Sequence, residues 1–172
     1  GWAMGFYALA LFSKSVAIVL PAILIVHAAL FGSLYWRQTK RLVVGLALIG
    51  AAYIFGVWQF IARATIDQPV RGYDEQIWTQ VKALVFYVKM LIWPSSQSID
   101  HQFLVSDSLF DPIAAPAFAL LLSLLFVALL YRREHPILAF SYAWFMLVLA
   151  PSSIVPLNVL VNEHRLYIPG LG

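Results

Sequence analysis

Residues 112–131 read PIAAPAFALLLSLLFVALLY and contain no Lys, Arg, Asp or Glu. A helix that crosses the hydrocarbon core of a bilayer needs about 20 such residues. The same charges are absent from three further windows, residues 15–36, 42–62 and 135–162. Only 11% of the whole chain is charged and 62% is hydrophobic, which leaves too little polar surface for a soluble domain. The sequence therefore predicts an all-α, polytopic transmembrane helical bundle, because a lipid-exposed backbone must satisfy its own hydrogen bonds.

The apolar windows and the prolines set the predicted helix boundaries. We expect four spans, at residues 16–36, 42–62, 113–131 and 136–150, and a partial span at residues 1–13. Pro151 is expected to end the fourth span, since proline breaks the helical hydrogen-bond ladder. Residues 1–13 are too short to cross alone at about 1.5 Å of rise per residue. We therefore expect residues 1–172 to be a single transmembrane domain within a longer protein.

Orientation follows from the charges of the short loops. Residues 37–41 contain three cations and no acid, and residues 132–135 contain two adjacent arginines. Both loops are expected on the cytoplasmic side by the positive-inside rule. The acidic or mixed loops within 63–112 and the tail 151–172 are then external. This pattern indicates a multi-pass integral membrane protein, and we expect the bacterial inner membrane.

Residues 75–93 are predicted to form an external, interfacial amphipathic helix. Glu75, Thr79, Lys82 and Lys89 fall on one side at helical spacing, while aliphatic residues fill the other side. Such a helix is expected to lie in the outer membrane interface. A packed span with buried lysines is the alternative, which the cost of charge in a membrane disfavours.

Several classes of site and partner are excluded or weakly indicated. The chain has no cysteine, which excludes disulfides and thiolate metal sites, and its net charge of +3 does not indicate nucleic acid. No metal site or cofactor is predicted, although a divalent metal stays open. The external acids are scattered, and Asp111 is expected to cap the helix that follows Pro112. Asp100 and His101 are an adjacent acid–imidazole pair, which is a weak signal, and His27 is a lone ionisable residue within a predicted span.

Two cationic positions are candidates for binding. Lys14 joins two apolar segments on the external side, where a lysine can snorkel or can hold an anionic lipid headgroup. In the tail, Glu163, His164 and Arg165 stand side by side within an apolar, proline-broken sequence. Arginine suits bidentate contact with phosphate, and histidine changes charge near neutral pH. The alternative for the tail is a solvated turn with a Glu–Arg pair.

Three stretches resemble one family of membrane enzymes. They are residues 9–21, LALFSKSVAIVLP; residues 87–94, YVKMLIWP; and residues 162–169, NEHRLYIP. In this order they resemble segments of the transmembrane and tetratricopeptide-repeat O-mannosyltransferases and their bacterial relatives, which have the GT-C fold. The last stretch is the most specific of the three. Ser15 departs from the pattern, because family members commonly have Glu after the lysine.

The resemblance implies transfer of a sugar from a polyprenyl-phosphate donor at the external face. Lys14, His164 and Arg165 would then contact the carrier phosphate, supported by Glu163 and Tyr167. The catalytic acid of GT-C enzymes lies in the first external loop, and no counterpart is visible, so the catalytic residue is unassigned. Either that loop precedes Gly1 or the chain is not itself catalytic. The alternative function is a non-catalytic accessory subunit of a larger membrane complex, and a transporter is a third, less supported class.

Overall fold

A computed structural model describes residues 2–32, 36–63, 71–94, 103–108, 110–155 and 160–172. These residues form helices and irregular segments and include no strand, which confirms the all-α prediction. Six α-helices follow one another: α1 Trp2–Ser13, α2 Leu20–Phe31, α3 Trp36–Ala62, α4 Tyr73–Ile92, α5 Ala114–Leu130 and α6 Pro136–Ile154. Short 3₁₀ helices lie at Ser15–Val19, Glu163–Leu166 and Pro169–Leu171.

Two helices are long and apolar enough to cross a membrane, as judged by length and composition. They are Thr39–Phe60 within α3 and Pro136–Ile154, which is α6. Three further apolar segments are shorter: Trp2–Ser13, Ser15–Phe31 and Ala114–Leu130. Long apolar helices therefore lie where the spans 42–62 and 136–150 are predicted, whereas the helices in the regions 16–36 and 113–131 are shorter than predicted.

The region predicted as one span at 16–36 is divided in the structure. Lys14 has an extended backbone, with φ −151° and ψ 116°, which separates α1 from the 3₁₀ helix that follows. Pro21 lies in the first turn of α2, where its missing N–H breaks no helical hydrogen bond. Gly32 follows the last residue of α2 with φ +68°, a left-handed conformation that favours glycine.

Two predicted helix boundaries are wrong. Helix α6 continues through Pro151 to Ile154, because a proline in the last turn removes a single hydrogen bond. The hydroxyls of Ser152 and Ser153 both donate to the carbonyl oxygen of Leu149, at 3.0 Å each. Residues 37–41, predicted as a loop, belong to the first turns of α3. Lysine, arginine and glutamine are good helix formers, so this cationic segment continues the helix.

Side-chain contacts give the relative directions of the helices. Met4 lies against Gly45, and the ring of Phe12 meets that of Tyr53 at 6.0 Å, so α1 and α3 run parallel. His27 packs edge-on against Phe140 at 5.7 Å, near the end of α2 and the start of α6. The end of α2 therefore meets the beginning of α6. The cationic segments 37–41 and 132–135 adjoin this end of the helices, and Lys14 lies at the opposite end.

Helix α4 buries part of its predicted polar side. Thr79 and Lys82 are buried, as are their neighbours Gln76 and Gln80, whereas Ile77 is 53% exposed. A helix that lies in the membrane interface would keep its polar side in contact with water, so the burial of Thr79 and Lys82 differs from that expectation. Of the two lysines of α4, Lys82 is buried and Lys89 is exposed. The alternative prediction, a packed span with buried lysines, therefore agrees with the burial of Lys82 and not with the exposure of Lys89.

Two apolar clusters hold the helices together. The larger joins α4, α5 and α6 to the C-terminal segment and centres on Tyr87, Leu121, Leu149, Val161 and Leu166. The smaller joins α1 to α3 through Tyr7, Leu11 and Leu46. Burial of Val161 and Leu166 in the larger cluster fixes the C-terminal segment against the ends of α4 and α6.

Candidate lipid-phosphate site

The C-terminal segment is fixed by side chains of α4 and α6. The backbone N–H of Asn162 donates to the hydroxyl oxygen of Tyr87 at 3.0 Å, and the Tyr87 hydroxyl lies 3.4 Å from the carbonyl oxygen of Asn162. The indole N–H of Trp144 donates to the carbonyl oxygen of Ile168 at 2.9 Å. These bonds satisfy backbone groups that no regular helix pairs. Residues 162–168 thus have a defined position beside both helices.

The turn that follows Asn162 presents the two candidate cations of the tail. The Asn162 side-chain oxygen accepts a hydrogen bond from the backbone N–H of His164 at 3.3 Å, which starts the 3₁₀ helix. Leu166 is buried and His164 is exposed. The Arg165 guanidinium is partly buried and donates to the carbonyl oxygen of Leu160 at 3.3 Å. The turn therefore orients Arg165 and leaves His164 accessible.

Lys14 lies in the break between α1 and the 3₁₀ helix. Its backbone N–H donates to the carbonyl oxygen of Ala10 at 2.8 Å, and its own carbonyl accepts from Ala17 at 3.0 Å. Both backbone groups are thus satisfied despite the break. The side chain is exposed, and its ammonium has no partner within the residues that the structure describes. An extended residue between two helical segments places this cation at their junction.

One cavity brings together all three residues predicted to bind lipid phosphate. It has a volume of about 780 Å³, and Lys14, His164 and Arg165 all line it. The remaining walls come from the 3₁₀ helix after Lys14, one face of α3 and the last turns of α6. Most of these wall residues are aliphatic. The cavity therefore combines cationic groups with an apolar lining.

The charge in this cavity is one-sided. Its described lining includes one lysine, one histidine and one arginine but no Asp or Glu. Apolar walls lower the local dielectric and strengthen the attraction between a cation and an anion. A lysine ammonium and an arginine guanidinium are the usual partners of phosphate groups. The cavity is therefore complementary to an anion that carries an apolar chain.

A second cavity of about 480 Å³ adjoins the first. It lies among α1, α2 and α6, and Lys14 lines both cavities. Its walls are mostly aliphatic and aromatic, and they include Tyr7, whose side chain is buried. Among the described residues, the Tyr7 hydroxyl is the one buried side-chain polar atom without a hydrogen-bond partner. Lys14 therefore borders both the smaller cavity and the larger cavity, which His164 and Arg165 also line.

The two residues predicted to support the site lie outside the described lining of the larger cavity. Tyr167 is 75% exposed, and Glu163 is partly buried. Four polar residues that the sequence did not single out for binding do line it: Ser15, Tyr53, Trp58 and Ser152. No helical spacing links Tyr53 with Trp58, because residues at i and i+3 or i+4 share a face whereas residues five apart do not.

The other acidic candidates form no common site in the described part of the chain. Asp67, Asp100 and His101 lie outside the described residues. Asp74 and Asp107 are exposed. Within the described ranges, no group of three or more His, Cys, Asp or Glu side chains is placed to hold a metal ion.

Asp111 has a structural position beside Lys82. One carboxylate oxygen accepts from the backbone N–H groups of Ile113 and Ala114, at 2.8 and 3.1 Å, which confirms its predicted role at the start of α5. The other accepts from the Ser106 hydroxyl at 2.7 Å and lies 3.5 Å from the Lys82 ammonium. The Ser106 bond, the two backbone bonds and the Lys82 charge lower the pKa of Asp111 to about 2. The carboxylate is therefore ionised at neutral pH.

His27 lies near the end of α2 rather than in the middle of a span. Its ring is 4.9 Å from that of Phe31 and 5.7 Å from that of Phe140, and the residue is exposed. His27 therefore takes part in an aromatic contact between α2 and α6.

Comparison with known proteins gives no indication of function, so the geometry of the cavity is the main structural evidence for it. The resemblance carried by residues 9–21, 87–94 and 162–169 stays an expectation. No protein-family model, curated protein or solved structure matches the chain.

Proposed function

We propose that the chain is the membrane-embedded part of a GT-C-type glycosyltransferase and that it binds a polyprenyl-phosphate-linked sugar donor. The observation that carries the proposal is the convergence of Lys14, His164 and Arg165 on one apolar cavity without a described carboxylate. Lys14 and Arg165 are about 150 residues apart in sequence, so only the fold brings them together. An amphipathic anion matches both the charge and the walls of this cavity.

A multi-pass membrane arrangement is supported by the helices and their directions. Two helices have the length and composition of spans, and three apolar segments accompany them. The cationic segments 37–41 and 132–135 adjoin one end of the helices, and the cavity lies at the other. By the positive-inside rule the cationic end is cytoplasmic and the cavity is external. In bacteria this orientation corresponds to the periplasmic face of the inner membrane.

The chemistry of the cavity suits the departure of a lipid phosphate. Transfer breaks the bond between the sugar and a phosphate oxygen, and negative charge develops on that oxygen. The Lys14 ammonium and the Arg165 guanidinium would stabilise this charge, because preorganised cations act on the oxygen at which the negative charge develops. His164 can add a third donor when it is protonated. The group that activates the acceptor hydroxyl stays unassigned.

The proposal is tested by an Arg165→Ala variant of the full protein in lipid nanodiscs. Radiolabelled polyprenyl-phosphate mannose and glucose serve as donors, and both lipid binding and sugar transfer are measured. We expect Arg165→Ala to abolish transfer and to weaken binding at least tenfold, since a hydrogen bond to a charged group contributes about 1.5–3 kcal/mol. Arg165→Lys should restore part of the binding, because it keeps the charge and loses the fork of donors.

The matched control is Arg132→Ala, which removes an exposed arginine at the opposite end of the helices. It should bind and transfer like the unmodified protein. Near-normal transfer by a folded Arg165→Ala variant would remove the phosphate-binding role of Arg165. If the unmodified protein binds the donors and transfers no sugar even with its native partners restored, the accessory-subunit function replaces the catalytic one.

A further inference from the structure

One face of α3 forms an aromatic wall of the larger cavity. Tyr53, Ile54, Val57 and Trp58 all line it. Residues at i and i+4 share a face of an α-helix, so Tyr53 lies beside Val57 and Ile54 lies beside Trp58. Trp58 is 51% exposed although it lines the cavity, so a broad aromatic surface is accessible there.

The polar atoms of these two aromatic side chains are available. In the part of the chain that the structure describes, neither the indole N–H of Trp58 nor the hydroxyl of Tyr53 makes a hydrogen bond. The ring of Tyr53 is nevertheless held in place, because it packs edge-on against Phe12 at 6.0 Å. The wall therefore offers two ring surfaces and two hydrogen-bonding groups.

The size of the cavity requires more than a phosphate. Its volume of about 780 Å³ lies within the range of roughly 300–1,000 Å³ that is typical of small-molecule sites. A phosphate group held by Lys14 and Arg165 would fill only a small part of this space. The apolar chain of the lipid can occupy the space beside the aliphatic residues of α6 and the 3₁₀ helix, and a second group bonded to the phosphate can lie against the α3 wall.

We infer that Trp58 and Tyr53 form the binding surface for the sugar ring of a glycosyl phosphate. A pyranose ring has an apolar C–H face, which can pack on an aromatic ring, and a rim of hydroxyls, which the free indole N–H and phenol can bind. This assignment rests on the proposed function, because the cations fix the phosphate to which the sugar is bonded. Trp58 and Tyr53 thus determine the preference for glycosylated over unglycosylated carrier.

The test compares two kinds of lipid on the same protein in nanodiscs. Binding of a polyprenyl phosphate and of its mannosyl and glucosyl esters, all of one chain length, is measured by equilibrium dialysis. The unmodified protein should bind at least one ester about tenfold more tightly than the unglycosylated lipid. Trp58→Leu should reduce this ratio to about one by weakening binding of the ester. Tyr53→Phe, which keeps the ring, should reduce the ratio partially.

Trp93→Leu is the control, because Trp93 is 69% exposed at the end of α4 and does not line the cavity. It should keep the full ratio. The inference is overturned if the unmodified protein does not prefer the esters, or if Trp58→Leu leaves the ratio unchanged. Equal loss of both kinds of lipid in Trp58→Leu would overturn it too. Failure of the proposed function is a different outcome, in which the unmodified protein binds polyprenyl phosphate no better than neutral polyprenol.

Discussion

Lys14 and Lys82 are two cations in the same protein with opposite surroundings. The Lys82 side chain is 5% exposed, lies 3.5 Å from the Asp111 carboxylate and donates to the carbonyl oxygen of Leu104 at 2.9 Å. Its ammonium is also 5.7 Å from the centre of the Phe103 ring. Lys14 is exposed and lines a cavity whose described residues include no acid.

The difference separates a structural cation from a candidate binding cation. A buried lysine costs folding free energy unless a carboxylate and hydrogen-bond acceptors compensate it, and Lys82 has both. These contacts tie Phe103, Leu104 and Asp111 to α4. Lys14 lacks such compensation in the described part of the chain, so it can take an external anion as its partner. Removing Lys82 should therefore affect folding, and removing Lys14 should affect binding.

The largest effect on stability is expected for Lys82→Met. This change leaves Asp111 and the Leu104 carbonyl without their cation and should lower the free energy of unfolding by about 2–3 kcal/mol. That is less than for a fully buried pair, because the Asp111 side chain is 22% exposed and can bind water. For a chain of this size the melting temperature should fall by about 5–10 °C.

Lys89→Met is the matched control for Lys82→Met, since Lys89 is an exposed lysine of the same helix. Its melting temperature should change little, as surface substitutions usually shift stability by less than about 0.5 kcal/mol. Thermal unfolding in detergent, followed by circular dichroism, measures both variants. Equal melting temperatures for Lys82→Met and Lys89→Met would show that the Lys82–Asp111 pair is not a structural link.

Lys14→Ala is expected to have the opposite profile. Loss of one charged contact should weaken binding of polyprenyl phosphate by about 10- to 100-fold, while the melting temperature stays within about 2 °C of the unmodified value. Lys40→Ala removes an exposed lysine at the other end of the helices and serves as control. A Lys14→Ala variant that binds the lipid normally but has a lowered melting temperature would show that Lys14 stabilises the fold. That result would contradict the distinction between Lys14 and Lys82.

The stabilisation that Asp111 contributes is expected to change with pH. Its folded pKa of about 2 lies below the ordinary value of 3.8, so the ionised carboxylate stabilises the fold above pH 4 and this stability is lost as pH falls towards 2. Asp111→Asn should therefore melt earlier than the unmodified protein at pH 5–7. The gap should narrow between pH 4 and pH 2. A constant gap across this range, in melting curves of both proteins, would contradict the assignment.

The sequence predicted the positions of the helices more accurately than the residues at which they end or the contacts between them. Charge-free windows located the apolar helices, because burial in any apolar environment selects the same residues. The break at Lys14 and the continuation of α6 through Pro151 depend on local backbone geometry, which composition does not record. For α4 the helical period was correct, but the burial of Thr79 and Lys82 on its polar side was not predicted. Phe103, Leu104 and Asp111 contact Lys82 through tertiary contacts that no local pattern reveals.

The sequence singled out the three basic residues of the candidate site but not the aromatic residues that form one of its walls. Lys14, His164 and Arg165 stood out because charge is rare in this chain and because their motifs resemble a known family. Tyr53 and Trp58 did not stand out, since aromatic residues are frequent in the sequence and common near membrane interfaces. Their position on the cavity depends on how α3 packs beside α1. The contact between the rings of Phe12 and Tyr53 is one example of this packing.

The central claim is that the larger cavity holds an anionic polyprenyl lipid. Photolabelling tests it most directly, with a diazirine-bearing polyprenyl phosphate added to the full protein in nanodiscs and the adducts mapped by mass spectrometry. We expect adducts at cavity-lining residues of the 3₁₀ helix after Lys14 and of the last turns of α6, such as Ile18, Leu149 and Ile154. Excess polyprenyl phosphate should suppress them, and excess neutral polyprenol should not. Adducts confined to exposed residues of α5 such as Leu122 and Phe126, equally suppressed by both lipids, would contradict the claim.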